Sequence, residues 1–275
     1  MAETVRSPLA GKRIVITRAA VQSEEFAREL SALGAIPVVL PLVAFEDPDD
    51  FAPLDAAITQ VEQFGWIVFT SGQAVRAVAV RSERLGHPLS QAANKSRIAA
   101  VGPVSAGAVR QAGLTVEYVA KNHNGVALAN ELGERLREQR VLLPRSDRAN
   151  PELPAALKGH GAHVTEVIAY RNLIPSEVDK QNLGKIAAEE VDAILFFSPS
   201  AVQHFGELFG NEKLRALQDG VAITAVGPVT ANALRQAKIG RMVVAADTTA
   251  GAVLVALEEH FAKMAKHSTA GAKRG

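Results

Sequence analysis

Polar turns follow the short apolar segments of this sequence, and their residue types suit the binding of anions. The clearest are Thr70–Gly72, Val101–Ser105, Ser198–Ser200 and Val226–Thr230. Gly102, Ser198 and Gly227 each precede a proline, which favours the first position of a helix, so each is a candidate N-cap. The N–H groups and the dipole of a helix N-terminus attract negative charge, by roughly 0.3–1 kcal/mol at an exposed end. The alternative, that the hydroxyls of these turns only cap helices, stays open.

Two arginines stand at the ends of apolar segments, Arg18 after KRIVIT and Arg145 after VLLP. An arginine at the end of a buried strand can bind a carboxylate through two parallel hydrogen bonds. A structural ion pair within the protein explains such an arginine equally well, so both interpretations are kept.

Other catalytic and cofactor motifs are missing from the sequence. It has no G-x-G-x-x-G after a strand, no G-x-x-x-x-G-K-[ST] and no G-x-S-x-G, so dinucleotide, P-loop and serine-hydrolase sites lack support. There is no cysteine, and His160 and His163 flank a turn without a nearby pair of carboxylates. We therefore predict neither a metal nor a cofactor.

Short apolar segments alternate with stretches of helical spacing along the chain. The strands predicted from them are Lys12–Thr17, Trp66–Thr70, Arg97–Val101, Thr115–Val119, Arg140–Pro144, Ala193–Phe197, Ala222–Val226 and Met242–Ala245. A helical segment follows each one, and this alternation predicts an α/β fold with parallel sheets and right-handed crossovers. Ligands of such sheets bind at the carboxyl ends of the strands, where the polar turns lie.

An internal repeat divides the chain into two similar halves. Residues 98–112 and 223–237 share 11 of 15 residues at an offset of 125. SGQAV from Ser71 and SPSAV from Ser198, and the ITR and LPR that end at Arg18 and Arg145, repeat at an offset of 127. The repeat predicts two units of the same architecture.

Two β-rich segments, Ile36–Phe45 and His163–Asn172, interrupt the alternation and are predicted to join the units. One lobe then comprises 1–36 and 174–262, the other 46–163, and 37–45 with 164–173 form the linking strands. The small, basic segment 263–275 lacks periodicity and is predicted to be disordered.

The composition favours a globular protein of two ordinary domains. The chain has 275 residues, 48% of them apolar and 21% charged, and its formal charge is +1. Nucleic-acid binding usually requires a basic excess, and no apolar run is long enough for a membrane span. The first dozen residues lack the apolar core of a secretion signal, so we expect a cytoplasmic protein.

Several motifs resemble those of the uroporphyrinogen-III synthase family in their order and spacing. They are ITR ending at Arg18, FTSGQAV, AVGPVSAGAV, VIAYRN, FFSPSAV, AVGPVTANAL and TTAGAVLVAL, spread over residues 12–262. Gly72 stands where the family commonly has proline, and Val229 where it has a second hydroxyl, which affects local contacts only.

The resemblance implies two flavodoxin-like α/β lobes joined by a two-stranded antiparallel β-ladder. It implies a monomer without cofactor, bound in its cleft to a small-molecule linear tetrapyrrole, hydroxymethylbilane, and to neither nucleic acid nor membrane. Each pyrrole of that substrate bears acetate and propionate arms, which helix N-termini and hydroxyls can bind. The substrate-binding residues implied are Arg18, Ser71, Gly102, Ser105, Arg145, Ser198, Ser200, Gly227 and Thr230. A transient contact with the preceding enzyme of the pathway stays open.

The reaction implied by the resemblance is loss of the terminal hydroxyl as water, followed by ring closure through a spiro intermediate with the last pyrrole inverted. Positioning dominates such a reaction, because the substrate also closes by itself to the uninverted isomer. Tyr170, in VIAYRN, is the implied catalytic residue, and its phenol would donate a proton to the departing hydroxyl. From the residues alone, the favoured interpretation of Tyr170 is a strand tyrosine that packs against the hinge. A non-catalytic anion-binding or regulatory module with the same fold is the alternative function.

Overall fold

The computed structural model describes residues 7–18, 20–122 and 124–272, so the parts of the predicted lobe and tail at 1–6 and 273–275 lie outside it. The strands are β1 (Arg13–Ile16), β2 (Ile36–Val39), β3 (Ala44–Glu46), β4 (Trp66–Phe69), β5 (Arg97–Ala100), β6 (Tyr118–Val119), β7 (Arg140–Ser146), β8 (His163–Leu173), β9 (Ala193–Phe196), β10 (Ala222–Ala225) and β11 (Val243–Val244). The α-helices are α1 (Ala20–Ala32), α2 (Ala52–Thr59), α3 (Gly72–Arg84), α4 (Leu89–Ala92), α5 (Pro103–Gln111), α6 (Gly125–Leu132), α7 (Glu152–Gly159), α8 (Lys180–Ala187), α9 (Pro199–Phe209), α10 (Asn211–Leu217), α11 (Pro228–Gln236) and α12 (Ala250–Ala272). Short 3-10 helices occupy Val61–Gln63 and Gly133–Leu136.

The described chain forms two compact units. The first contains residues up to 44 and from 173 onward, and the second contains residues 45–172. The first unit is therefore discontinuous in sequence, and the chain passes from one unit to the other at Ala44–Phe45 and Asn172–Leu173.

The first unit contains a sheet in the order β11–β10–β9–β1–β2, and its neighbouring strands are parallel. Both of its faces are covered by core. Val15 and Ile194 belong to the buried cluster on one face, and Ile14 and Leu195 to the cluster on the other. Burial on both faces is typical of parallel sheets and explains why these strands are continuous apolar runs.

The second unit repeats this arrangement with the strands in a different chain order. Its sheet has the order β3–β8–β7–β4–β5–β6, with parallel pairing from β8 to β6. β7 and β4 hold the places of β1 and β9, at the same 127-residue offset from Arg13 to Arg140 and from Trp66 to Ala193. The first sheet thus has the flavodoxin-like order 2-1-3-4-5, and the second has the same spatial arrangement in a circularly permuted chain order. The predicted α/β fold with parallel sheets is confirmed.

The segments predicted as a separate linking ladder are largely incorporated into the two sheets. Ile36–Val39 is the edge strand β2, paired in parallel with β1, and β8 pairs in parallel with β7. The reason is that β2 beside β1 and β8 beside β7 occupy equivalent positions in the two sheets. Pairing within the sheet therefore satisfies the backbone N–H and C=O groups of β2 and β8. The strand β3, which lies beside β8 at the edge of the second sheet, has no counterpart in the five-stranded first sheet.

The segment predicted to be disordered continues the last helix as far as Ala272. Val253, Leu257 and Phe261 are buried on one face of α12 and hold it to the first unit. Ala and Lys then extend the helix through residues 262–266, because their helix propensity is high even where no packing follows. Within the described residues, no helix combines the length and the apolarity that crossing a membrane would need.

Candidate active site

In the first unit, the predicted residues gather at the carboxyl edge of the sheet. Arg18 follows β1 and Ser198 follows β9, on either side of the point where the chain order of this sheet reverses. Such a switch point is the usual ligand position in open α/β sheets. The Arg18 guanidinium lies 4.9 Å from the centre of the Phe197 ring, and burial lowers the pKa of Arg18 although the group stays cationic.

The hydroxyls at this edge serve the helices that begin there. Ser198 Oγ accepts a hydrogen bond from the N–H of Ala201 at 3.2 Å and so caps α9, and Ser200 lies half-buried in the first turn. The capping role that the sequence left open is thus present at Ser198. The capping oxygen acts as acceptor in that bond, which leaves the hydroxyl proton available for an anion.

Gly227 begins α11 in a backbone conformation that excludes other residues. Its φ is +86° and ψ is 167°, a region occupied almost only by glycine, and a Cβ there would lie 3.0 Å from Thr248 Cγ2. Thr230, in the first turn of the same helix, is only 3% exposed, so little of its surface remains for a ligand.

In the second unit, the carboxyl edge brings Ser71 and Tyr170 together. Ser71 caps α3 by accepting from the N–H of Ala74 at 3.1 Å, and its Oγ lies 3.2 Å from the Tyr170 hydroxyl. The Tyr170 ring meets the Phe45 ring edge to face at 5.5 Å. Tyr170 is 8% exposed, so packing fixes the ring while its hydroxyl reaches the end of α3.

A β-bulge in β8 aims the Tyr170 side chain. Arg145 pairs with Ile168 and Ser146 with Tyr170, so Ala169 has no partner in the ladder. Because of this extra residue, Ala169 and Tyr170 both join the same buried cluster instead of pointing to opposite faces.

The residue after Tyr170 fixes this part of β8 in place. Arg171 forms ion pairs of 2.8 Å with Glu46 and with Asp49, and its Nε donates to the carbonyl of Asp47 at 3.1 Å. These contacts join β8 to β3 and to the loop that follows β3. Because Arg171 is the next residue along β8, these contacts also fix the position of the Tyr170 backbone.

The other predicted residues of the second unit contribute less free surface. Gly102 precedes α5 in extended conformation, and Ser105 in the first turn is 5% exposed. Arg145 has a buried side chain that donates to Glu166 at 3.0 Å and to the carbonyl of Asn150. Of the two interpretations kept for Arg145, the structure contains the internal ion pair.

A cavity of about 210 Å³ opens beside Tyr170 and contains residues that the sequence analysis missed. Phe45 forms part of its wall, and Arg76 and Gln73 reach it from the first two turns of α3. The signal for Arg76 was present in FTSGQAVRAV, since Arg76 follows Gly72 by four residues and must lie on the same face of the helix.

A larger cavity, of about 720 Å³, lies elsewhere in the first unit. Its walls include Asp192, Ala222 and Met242, which stand at the amino ends of their strands, and none of the predicted site residues. This cavity is at the opposite edge of the sheet from the helix N-termini, so it is not the candidate site.

Comparisons with known proteins show which proteins this chain is similar to. The family model described as uroporphyrinogen-III synthase HemD matches residues 24–254. A uroporphyrinogen-III synthase of Synechococcus elongatus is 32% identical over 257 residues, which cover 92% of this chain and 96% of that protein. One of Chlorobaculum parvum is 26% identical over 82% of this chain and 89% of its own length. The crystal structure of a mutant uroporphyrinogen III synthase from Thermus thermophilus shares the fold, with a TM-score of 0.71 and 24% identity over 92% of this chain and 100% of that one.

Proposed function

The chain belongs to the uroporphyrinogen-III synthase family, and we propose that Tyr170 and the carboxyl edges of its two sheets carry out the reaction of that family. This reaction is the cyclisation of hydroxymethylbilane in tetrapyrrole biosynthesis. The observation that carries the proposal for the site is the contact between the Tyr170 hydroxyl and Ser71 at the N-terminus of α3.

The carboxyl edge of each unit offers groups that can bind carboxylate arms of the substrate. The first turns of α3, α5, α9 and α11 offer backbone N–H groups that have no partner within their own helix. Helix N-termini bind carboxylates well, and the hydroxyl of Ser198 adds a donor beside them. Arg18 adds a cation, whereas Arg145 already satisfies Glu166 and acts as a structural residue.

Tyr170 donates its proton to the hydroxyl that leaves the substrate. The C–O bond breaks, the hydroxyl departs as water, and an azafulvene cation remains on the bilane. The substituted carbon of the last pyrrole attacks this cation and forms the spiro intermediate, which fragments and closes again with that ring inverted. The proton released from the ring on closure returns to the Tyr170 oxygen, so the phenol is restored.

Ser71 and the packing around Tyr170 direct this proton transfer. The 3.2 Å contact gives the phenol hydroxyl a fixed partner at the N-terminus of α3, and the Phe45 ring packs against the Tyr170 ring and forms part of the cavity wall. A fixed donor is what the reaction requires, because the unassisted substrate closes to the uninverted isomer.

The test supplies hydroxymethylbilane to the purified protein and separates the uroporphyrin isomers after oxidation. We expect isomer III, formed faster than the spontaneous closure. Isomer I alone, at the spontaneous rate, would overturn the proposal and favour a non-catalytic binding module.

A further inference from the structure

Arg76 differs from the other arginines of α3 in the partner that it has. Arg81 is paired with Asp55 at 2.6 Å, and Arg84 lies 4.0 Å from Asp47. Arg76 donates from Nε and Nη2 to a neutral acceptor, Gln73 Oε1, at 3.3 and 3.1 Å. Among the residues that the structure describes, no carboxylate lies within ion-pair distance of Arg76.

The Arg76 guanidinium lies over the first turn of α3. Its Nη1 is 3.4 Å from the position that a Cβ of residue 72 would occupy. A cation at the positive end of a helix dipole interacts unfavourably with that dipole, and an anion that binds there compensates for this unfavourable interaction. Gln73 occupies one side of the guanidinium, which leaves Nη1 available to a ligand.

Arg76 and Tyr170 line the same 210 Å³ cavity. An anion bound by Arg76 would therefore lie in the cavity that Tyr170 lines. In hydroxymethylbilane, the ring that carries the leaving hydroxyl also carries an acetate and a propionate arm. One of these arms is then within reach of Arg76.

We propose that Arg76 binds a carboxylate arm of the hydroxymethyl-bearing ring and so holds the substrate in the cavity that Tyr170 lines. This inference rests on the proposed function and adds to it a residue that determines substrate affinity. Gln73 orients the guanidinium, and the remaining Nη1 protons donate to the carboxylate in a charge-assisted pair.

The test compares Arg76→Gln, Arg76→Lys and the control Arg110→Gln in steady-state kinetics with hydroxymethylbilane. Arg110 is an exposed arginine in the last turn of α5, at the opposite end of its helix from the carboxyl edge. Since hydrogen bonds to charged groups change affinity by roughly 10- to 100-fold, we expect KM to rise by that factor in Arg76→Gln. We expect kcat to change by less than about threefold, Arg76→Lys to be intermediate, and Arg110→Gln to match the wild type.

Thermal unfolding and product binding separate this role from a structural one. Because Arg76 opposes the helix dipole, Arg76→Gln should unfold at the same temperature as the wild type or slightly higher. Titration with uroporphyrin III, followed by its fluorescence, should show the same loss of affinity as KM.

Equal KM values and uroporphyrin affinities in Arg76→Gln and Arg110→Gln would overturn the inference, and so would a fall in kcat at unchanged KM. If the wild type formed only isomer I, the proposed function would fail by itself. Weaker uroporphyrin III binding by Arg76→Gln would then still support a carboxylate site at Arg76.

Discussion

Replacement of Tyr170 by phenylalanine removes one hydroxyl and leaves the surrounding structure in place. The ring keeps its edge-to-face contact with Phe45 and its place in the buried cluster of the second unit. Ser71 loses the 3.2 Å contact with the phenol but continues to cap α3 through the N–H of Ala74. The change is therefore confined to the proton donor.

The expected loss of turnover is much larger than the expected loss of stability. A positioned general acid contributes about 10²- to 10⁴-fold, so we expect kcat for isomer III to fall by about 100-fold or more. The hydrogen bond to Ser71 is neutral and contributes roughly 0.5–1.5 kcal/mol to the free energy of unfolding. For a chain of this size, that corresponds to a fall of about 1–6 °C in Tm.

The assay follows hydroxymethylbilane consumption and the ratio of isomers III and I, with Tyr118→Phe as the matched control. Tyr118 is the other tyrosine of the chain, and its hydroxyl donates to Glu131 at 3.0 Å within the same unit. Its removal costs one phenol hydrogen bond, in this case to a carboxylate, without touching the cavity beside Tyr170. We expect Tyr118→Phe to keep wild-type kcat and isomer ratio.

Isomer I should increase at the expense of isomer III in Tyr170→Phe, because spontaneous closure competes when proton donation is slow. If Tyr170→Phe and Tyr118→Phe had the same kcat, the phenol would have no part in the reaction. Equal losses of kcat and of folded protein would also contradict a role as proton donor, since they would assign Tyr170 a purely structural role.

Two further predictions concern stability. Gly227→Ala should lower the free energy of unfolding by about 1–3 kcal/mol, because the φ of +86° at Gly227 excludes a side chain. The control Gly102→Ala should lower it clearly less, because Gly102 has an extended φ of −158°. Similar losses for the two variants in urea unfolding would contradict this prediction. The hydrogen bond from Arg81 lowers the pKa of Asp55, so the pair stabilises the fold above the unfolded-state pKa of about 4, and this contribution is lost as the pH falls through and below that value. The stability difference between wild type and Asp55→Asn should therefore shrink from pH 7 to pH 3, and a difference independent of pH would show that the ion pair does not titrate with folding.

Much of the architecture follows from local sequence. Strands such as Trp66–Phe69 are fully buried apolar runs, and the repeat places them in two equivalent sheets. Prolines and hydroxyls mark where helices begin, because capping depends on residues only two or three positions apart. Ser71 and Ser198 could thus be assigned to helix N-termini from the sequence, and both cap their helices in the structure.

The predicted elements were wrong where the outcome depends on distant partners. Residues 37–39 were assigned to a separate ladder, but they pair with β1. Their backbone N–H and C=O groups need hydrogen-bond partners, and β1 supplies them. The predicted strand Thr115–Val119 is reduced to Tyr118–Val119, where β5 supplies partners.

The site required tertiary structure for the same reason. The sequence determined which residues are polar, which turns can bind anions and that Tyr170 lies in a strand. The bulge at Ala169, the pairing of Arg145 with Glu166 and the placement of Arg76 beside Tyr170 were decided only by the folded chain. Each depends on the register or packing of segments far apart in sequence, and side-chain direction is set by that register and not by residue type.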